Sequence, residues 1–148
     1  MQFSHLHNHS QFSLLDGASK ISSMFKKAKE DNMPAVAITD HGNMFGAIDF
    51  YNKGKDNNIK PIIGCEVYLV IDHKNTERPQ KGRVDADGND VGGMGLQNKI
   101  YHMGLLAADN EGYHNLAKIV SDAHLKGFYY KPRTDLEHLA AHAKGLIG

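Results

Sequence analysis

PAVAIT, residues 34–39, is the stretch that most restricts the possible folds. A strand with one face in water alternates apolar and polar residues, whereas an unbroken apolar run of this length fits a strand buried on both faces, as in a parallel sheet layered with helices. The flanking sequence supports that reading. ISSMFKKAKEDN ahead of it places Ile21, Met24, Phe25 and Ala28 at helical spacing, with Ser19 or Ser22 available as a cap. MFGAIDFYNKGKDNN after it also reads as a helix, with Phe45, Ile48 and Tyr51 on its apolar turns and Asp49 and Asn52 on its solvated ones. FSHLHNH at the start and KPIIGCEVYLV at 60–70 read as further strands. IYHMGLLAA resumes as a strand, and NEGYHNLAKIVSDAHLKG is an amphipathic helix closed by Gly127. TDLEHLAAHA is another helix, and GLIG begins one more strand. This β-α-β-α-β-loop-β-α-α-β order predicts an α/β protein, with a parallel sheet or a β/α barrel.

Between the third and fourth strands, residues 72–98 are polar and glycine-rich without periodicity, and read as a long excursion or mobile loop. Within it DADGND superficially suggests a calcium loop, but its glycine is misplaced for that pattern. The 148 residues amount to one domain, and 17 basic residues balance 17 acidic ones, so no global field of the kind a nucleic-acid binder carries is present. A single cysteine, Cys65, excludes an internal disulfide and reads as a core residue. Signal-peptide layout and membrane-length apolar runs are both lacking, so a cytoplasmic protein without a membrane partner is the expectation. The chain stops as a strand begins, and therefore reads as the N-terminal piece of something longer.

Ten histidines are an unusual number, and three of them, His5, His7 and His9, alternate along the first strand. Alternate side chains of a strand share a face, so the three imidazoles are expected to point one way. In parallel α/β folds the working residues gather at the carboxyl ends of strands. Here the first strand ends at His7-Asn8-His9, the second at Thr39-Asp40-His41-Gly42, and the third carries Gly64-Cys65-Glu66, with Asp16 one loop beyond the first. Imidazole combined with carboxylate is the donor chemistry of zinc, manganese or iron, and a carboxylate can bridge two ions. Glu66 in an apolar strand needs a partner. Other polar residues have plainer readings: Asp40 and Asn43 as caps of the following helix, His114 and His124 as structural, and His73, His138 and His142 as solvated.

Together HLHNHSQFSLLDGA, AITDHGNMFGAIDFY, KPIIGCEVYL, YHMGLLAADNEGYHNLAKIVSDAH and GFYYKPRTD resemble the polymerase and histidinol phosphatase (PHP) domain. The likeness is greatest to the version at the N-terminus of the α subunit of bacterial DNA polymerase III. It implies a distorted seven-stranded β/α barrel, of which residues 1–148 form the N-terminal portion, with a variable loop at 72–98 and truncated on its C-terminal side. It implies up to three divalent ions (zinc, manganese or iron) on His7, His9, Asp16, His41, Glu66 and His102, with Glu66 as bridge and with His7, His9, His41 and Glu66 at the catalytic centre. His102 lies ahead of its apolar run rather than at the carboxyl end, where a parallel barrel collects ligands. His5 stands where it would orient His7 or His9, and Lys131 and Arg133 in YYKPR are read as a phosphate contact or as loop caps. The family's later ligands, a cysteine and an Asp-x-His pair, would lie beyond Gly148, as would a polymerase site using magnesium. The implied activity is phosphoester hydrolysis, as 3′–5′ exonuclease proofreading or pyrophosphate hydrolysis, with DNA and replicase subunits such as a proofreading exonuclease as partners. The alternatives are a non-catalytic docking and stability platform for that exonuclease, or a stand-alone phosphatase acting on a substrate such as histidinol phosphate. The fragment alone is expected to have little activity and an uncovered sheet edge that invites self-association.

Overall fold

One long strand organises the chain. In the computed structural model, which describes residues 3–14, 16–71 and 99–148, KPIIGCEVYLV forms β2, Lys60–Val70. PAVAIT supplies β1, Ala35–Ile38, buried at every position. β1 pairs parallel with the first part of β2, from Ala35 opposite Lys60 to Ile38 opposite Ile63. On the same chain β5, Lys131–Asp135, pairs parallel with the last part, from Tyr68 opposite Arg133 to Val70 opposite Asp135. β3, Tyr101–Ala107, runs antiparallel along β2, from Gly64 opposite Leu106 to Leu69 opposite Tyr101. β6, Leu146–Ile147, adds antiparallel to β3, and β4, Phe128–Tyr129, adds antiparallel to β5. The sheet is therefore mixed, and the expectation of a purely parallel one is corrected.

The other departures have local causes. FSHLHNH is extended beside β1 but is not a ladder strand: His5 and Asn8 offer carbonyls to the Ala37 and Thr39 amides. β5 is not legible as a strand from its residues, because KPRTD is polar and Pro132 lacks an amide proton to donate. β3 turns back along β2, and residues 72–98 between them, with DADGND and His73, lie outside the described residues.

Helices α1 (Ile21–Glu30) and α2 (Ala47–Asn57) pack with β1 around Ile21, Phe25, Ala28, Val36, Ile38, Phe50 and Ile59. The N-cap position of α1 is Lys20 with no side-chain cap, so neither Ser19 nor Ser22 plays that part; the Ser19 carbonyl instead accepts from the Gln11 amide. In α2 the inward positions are Ala47, Phe50 and Gly54, whereas Phe45, Ile48 and Tyr51 are 72%, 66% and 48% exposed. Gly54 explains this rotation: a Cβ there would lie 2.8 Å from Pro61, so the helix meets β2 on its smallest residue. α3 (Asn110–Leu125) is capped by Asp109, which accepts from the Gly112 amide at 2.8 Å. It buries Leu116 and Ile119 against Cys65, Val67 and Leu105, with Leu139 of α4 (Leu136–Ala141). Cys65 is a core residue as expected, its thiol pushed up to about 12 chiefly by burial. Among the described residues no helix is long and apolar enough to cross a membrane.

Candidate metal centre

Cys65 and Val67 point into the α3 core, so strand alternation turns Glu66 and Tyr68 to the other face of β2. Glu66 is 6% exposed there, and a carboxylate so buried requires partners. Imidazoles supply them on both oxygens. Oε2 meets His7 Nε2 and lies 3.1 Å from His9 Nε2, while Oε1 lies 2.7 Å from His102 Nδ1 and 3.7 Å from His41 Nδ1. His41 Nε2 is in turn 2.7 Å from Asp16 Oδ2. Burial alone would raise the Glu66 carboxyl, but hydrogen bonds with His7 and His102 and the field of His41 outweigh it and hold it below its ordinary value. Such a group stabilises the fold above its unfolded pKa, and the contribution disappears as the pH falls through the folded one. The metal-free protein is thus expected to lose thermal stability on acidification below about pH 4.5. Melting temperature against pH measures this, and Glu66→Gln should flatten that part of the profile.

Each side chain arrives by its own route. The Asn8 amide donates to Thr39 Oγ1 at 2.9 Å, and Ser10 donates through its amide and hydroxyl to the Asp40 carboxylate at 2.5 and 2.7 Å. Asp40, 1% exposed, therefore anchors the N-terminal segment and is not a helix cap. Asn43 accepts from the Phe45 amide at 3.1 Å, within the turn before α2. His41 follows β1 on a turn locked to β2: the Glu66 amide donates to Asp40 O at 3.1 Å, and the Gly42 amide donates to Glu66 O at 2.9 Å. Gly42 has φ +62°, and a Cβ there would fall 2.7 Å from Pro132 and 3.0 Å from Tyr68. Gly42→Ala should cost about 1–3 kcal/mol in urea unfolding and displace His41. An unchanged midpoint would contradict this account of the turn.

His102 reaches the cluster because β3 is antiparallel. Its amino end lies beside the carboxyl-terminal half of β2, with His102 opposite Tyr68, so a residue ahead of the apolar run joins the strand-end cluster. Tyr68 escapes a reading of the sequence although it stands two residues beyond Glu66, on the same face. Its ring is 7% exposed, with centroid distances of 5.8 Å to His41 and 5.0 Å to His102. Lys131 Nζ lies 5.2 Å from the Tyr68 ring centroid on the open side. His124 is structural, as its plainer reading has it: its Nε2 donates to Gly42 O at 2.8 Å and ties α3 to the His41 turn.

Other residues lie away from the cluster. His5 packs edge-on against Phe3 and lines a groove with Met24 and Lys27 of α1, because the segment that carries it lacks strict strand alternation. Arg133 is 3% exposed, donates from Nε to Gly127 O at 3.0 Å and covers Tyr129, which places it in the packing of β5. His138 is not solvated: its side chain is 14% exposed, with Nε2 3.6 Å from Asp122 Oδ2 on α3. His142 Nδ1 donates to His138 O at 3.1 Å, and His114, read as structural, is exposed on α3.

The donors fall into three overlapping sets, His7–His9–Glu66, His9–Asp16–His41 and His41–Glu66–His102, with the atoms of each within 4.8 Å of one another. A divalent cation fits them on one structural ground. His41 Nε2 faces an acceptor carboxylate and so donates, and in the neutral imidazole Nδ1 is then a buried lone pair with no hydrogen-bond partner among the described residues, 3.7 Å from Glu66 Oε1. Two electron-rich atoms in that position are reconciled by a positive charge. The cluster opens into a cavity of about 410 Å³ whose rim includes Phe12, Leu14, Phe45, Tyr68, His124 and Lys131.

Known proteins resemble this chain in sequence and in fold. The chain is 46% identical over 149 residues to the DNA polymerase III subunit alpha of Thermus aquaticus, covering 99% of this chain and 11% of that protein. It is 47% identical over 146 residues to the subunit from Borreliella burgdorferi, covering 99% and 12%. The chain thus spans about a tenth of the length of these relatives. Among solved structures, a candidate metal-dependent phosphoesterase from Bifidobacterium adolescentis superposes with a TM-score of 0.53 at 17% identity, over 82% of this chain and 33% of that one. An amidohydrolase from Chromobacterium violaceum, solved with bound sulfate and no metal, gives 0.50 at 19% identity over 81% and 32%. At these identities the likeness speaks for the fold. The sequence profile of the PHP domain matches residues 5–148, nearly the whole chain, and the protein belongs to that family.

Proposed function

We propose that this chain is the N-terminal PHP domain of a bacterial replicative DNA polymerase, the α subunit of DNA polymerase III, and that its strand ends hold a divalent metal cluster that hydrolyses phosphoesters. In the full-length protein the mixed sheet would be part of a distorted seven-stranded β/α barrel. One observation carries the proposal: the two oxygens of a single buried carboxylate, Glu66, face two separate sets of imidazoles. Such a residue would hold divalent ions through both oxygens, with His7, His9, Asp16, His41 and His102 completing the donor set for zinc, manganese or iron.

Bound there, the ions would supply an activated water nucleophile near neutral pH and neutralise charge on the phosphoryl oxygens. The chain's own part is to hold and orient. His7, His9, His41 and Glu66 are the catalytic donors, fixed by the locked turn and by β2. Tyr68 excludes water behind His41 and His102 and sets Lys131 one ring away from the cluster, where an ammonium meets a phosphate oxygen. Phe12, Leu14 and Phe45 give the rim apolar surface that a pyrophosphate does not use and a nucleoside does. A 3′–5′ exonuclease acting on a DNA end is therefore favoured over pyrophosphate hydrolysis and over a small-molecule phosphatase. DNA and the other replicase subunits, including a proofreading exonuclease, would be partners through the full-length polymerase in the cytoplasm. Magnesium would serve a separate polymerase site.

Elemental analysis of the full-length protein, with and without His9→Ala, tests the reading. Two or three equivalents of metal in the wild type, lost in the variant together with phosphoesterase activity, is the expected result. A wild type free of metal would leave a domain kept for docking and stability.

A further inference from the structure

We infer that Ser13 and Asp40 set the tautomer of His9, so that its Nε2 lone pair is the one presented to the cluster. The inference rests on the metal reading above and assigns a positioning role to two residues that hold no ion themselves.

Asp40 is 1% exposed and, as a carboxylate, only accepts. It takes the Ser10 amide at 2.5 Å, the Ser10 hydroxyl at 2.7 Å and the Ser13 hydroxyl at 3.3 Å. A serine hydroxyl has one proton to give. Ser13 Oγ has two neighbours able to take it, Asp40 Oδ1 and His9 Nδ1, the latter at 3.2 Å. A bond to a charged acceptor is roughly twice as strong as a neutral one, so the proton goes to Asp40. Ser13 Oγ is then purely an acceptor towards its other neighbours. One lone pair receives the His41 amide at 2.9 Å, and the other faces His9 Nδ1, which must carry a proton to satisfy it. A neutral imidazole protonated on Nδ1 is unprotonated on Nε2. That Nε2 lies 3.2 Å from His7 Nε2 and 3.1 Å from Glu66 Oε2 with no hydrogen bond to the carboxylate, unlike His41 Nε2 towards Asp16, so it faces the first donor set as a lone pair. Proton order thus runs from His9 through Ser13 to Asp40, and the same serine fixes the backbone of His41. Ordering of this kind raises the basicity of a ligand and removes the population of the wrong tautomer.

Zinc titration calorimetry on the metal-free, full-length protein tests the assignment. Ser13→Ala should weaken zinc binding about 10- to 100-fold. Ser13→Thr keeps the hydroxyl and should bind as the wild type does. Ser10→Ala removes the shorter of the two hydroxyl bonds to Asp40, and with it part of the anchor of the N-terminal segment, but no contact with His9, and should weaken zinc binding clearly less than Ser13→Ala does. A purely structural role reverses that ranking, so a loss in Ser10→Ala as large as in Ser13→Ala overturns the inference, as does wild-type affinity in Ser13→Ala. The melting temperature of each metal-free variant establishes that it folds. If the threonine methyl is not accommodated, the contrast between the two alanine variants decides alone. A wild type that takes up no zinc overturns the metal reading itself, and this inference with it.

Discussion

Glu66→Gln is expected to lower divalent-metal affinity and any phosphoesterase activity of the full-length protein by about 100-fold or more, while leaving it folded. The magnitude follows from the residue's position. Loss of an outer partner of a ligand typically costs 10- to 100-fold, and among the described residues Glu66 is the one carboxylate shared by two donor sets. The amide keeps the volume of the acid, so β2 and its pairing with β1, β3 and β5 are undisturbed. What disappears is the charge. One end of the amide also becomes a donor, so the two oxygens facing separate imidazoles are replaced by an oxygen and an NH₂ group. Metal analysis and initial rates on the variant check this. Retained metal with retained activity would refute the bridging role, and a collapse of the melting temperature would show that Glu66 acts as a core residue instead.

Phe50→Ala should cost about 3–5 kcal/mol of stability. Phe50 is fully buried, its ring centroid 4.6 Å from that of Phe25, at the junction of α1, α2 and β1. Truncation leaves a cavity that backbone pairing on one side and α1 on the other keep from collapsing. Because β1 leads directly into the His41 turn, loss of affinity for metal should accompany loss of stability. Urea unfolding measures the first effect. Ile48→Ala, on the outer side of the same helix, serves as the contrast and should change stability by no more than about 0.5 kcal/mol.

The sequence is most legible where one physical demand dominates. PAVAIT has no polar position before its final threonine and is bound to be a doubly buried strand; KPIIGCEVYLV emerges with its full bounds for a similar reason. The donor residues group together on sequence alone, because imidazoles and carboxylates at strand ends have few plain explanations in combination. His102 is the exception, since its place depends on strand direction, and direction is set by pairing partners rather than by local composition. β5 is hidden for a related reason: it carries Pro132 and charged residues and becomes a strand only because β2 offers it an edge. Tyr68 lies in view, two residues from Glu66, but an aromatic in a strand reads first as core. The outward turn of Ile48 and Tyr51 depends on Gly54, whose closeness to Pro61 no periodicity reveals. Asp40 looks like a cap because caps and anchors use the same chemistry.

The antiparallel course of β3 bears on how much the chain tolerates change. Leu69 and Tyr101 stand opposite each other, so the segment between β2 and β3 leaves and returns at one end of the same pair. Its length is therefore independent of the spacing between Glu66 and His102, which the ladder alone sets. The register that brings His102 to Glu66 is thus inherited unaltered whatever number of residues joins Val70 to Tyr101.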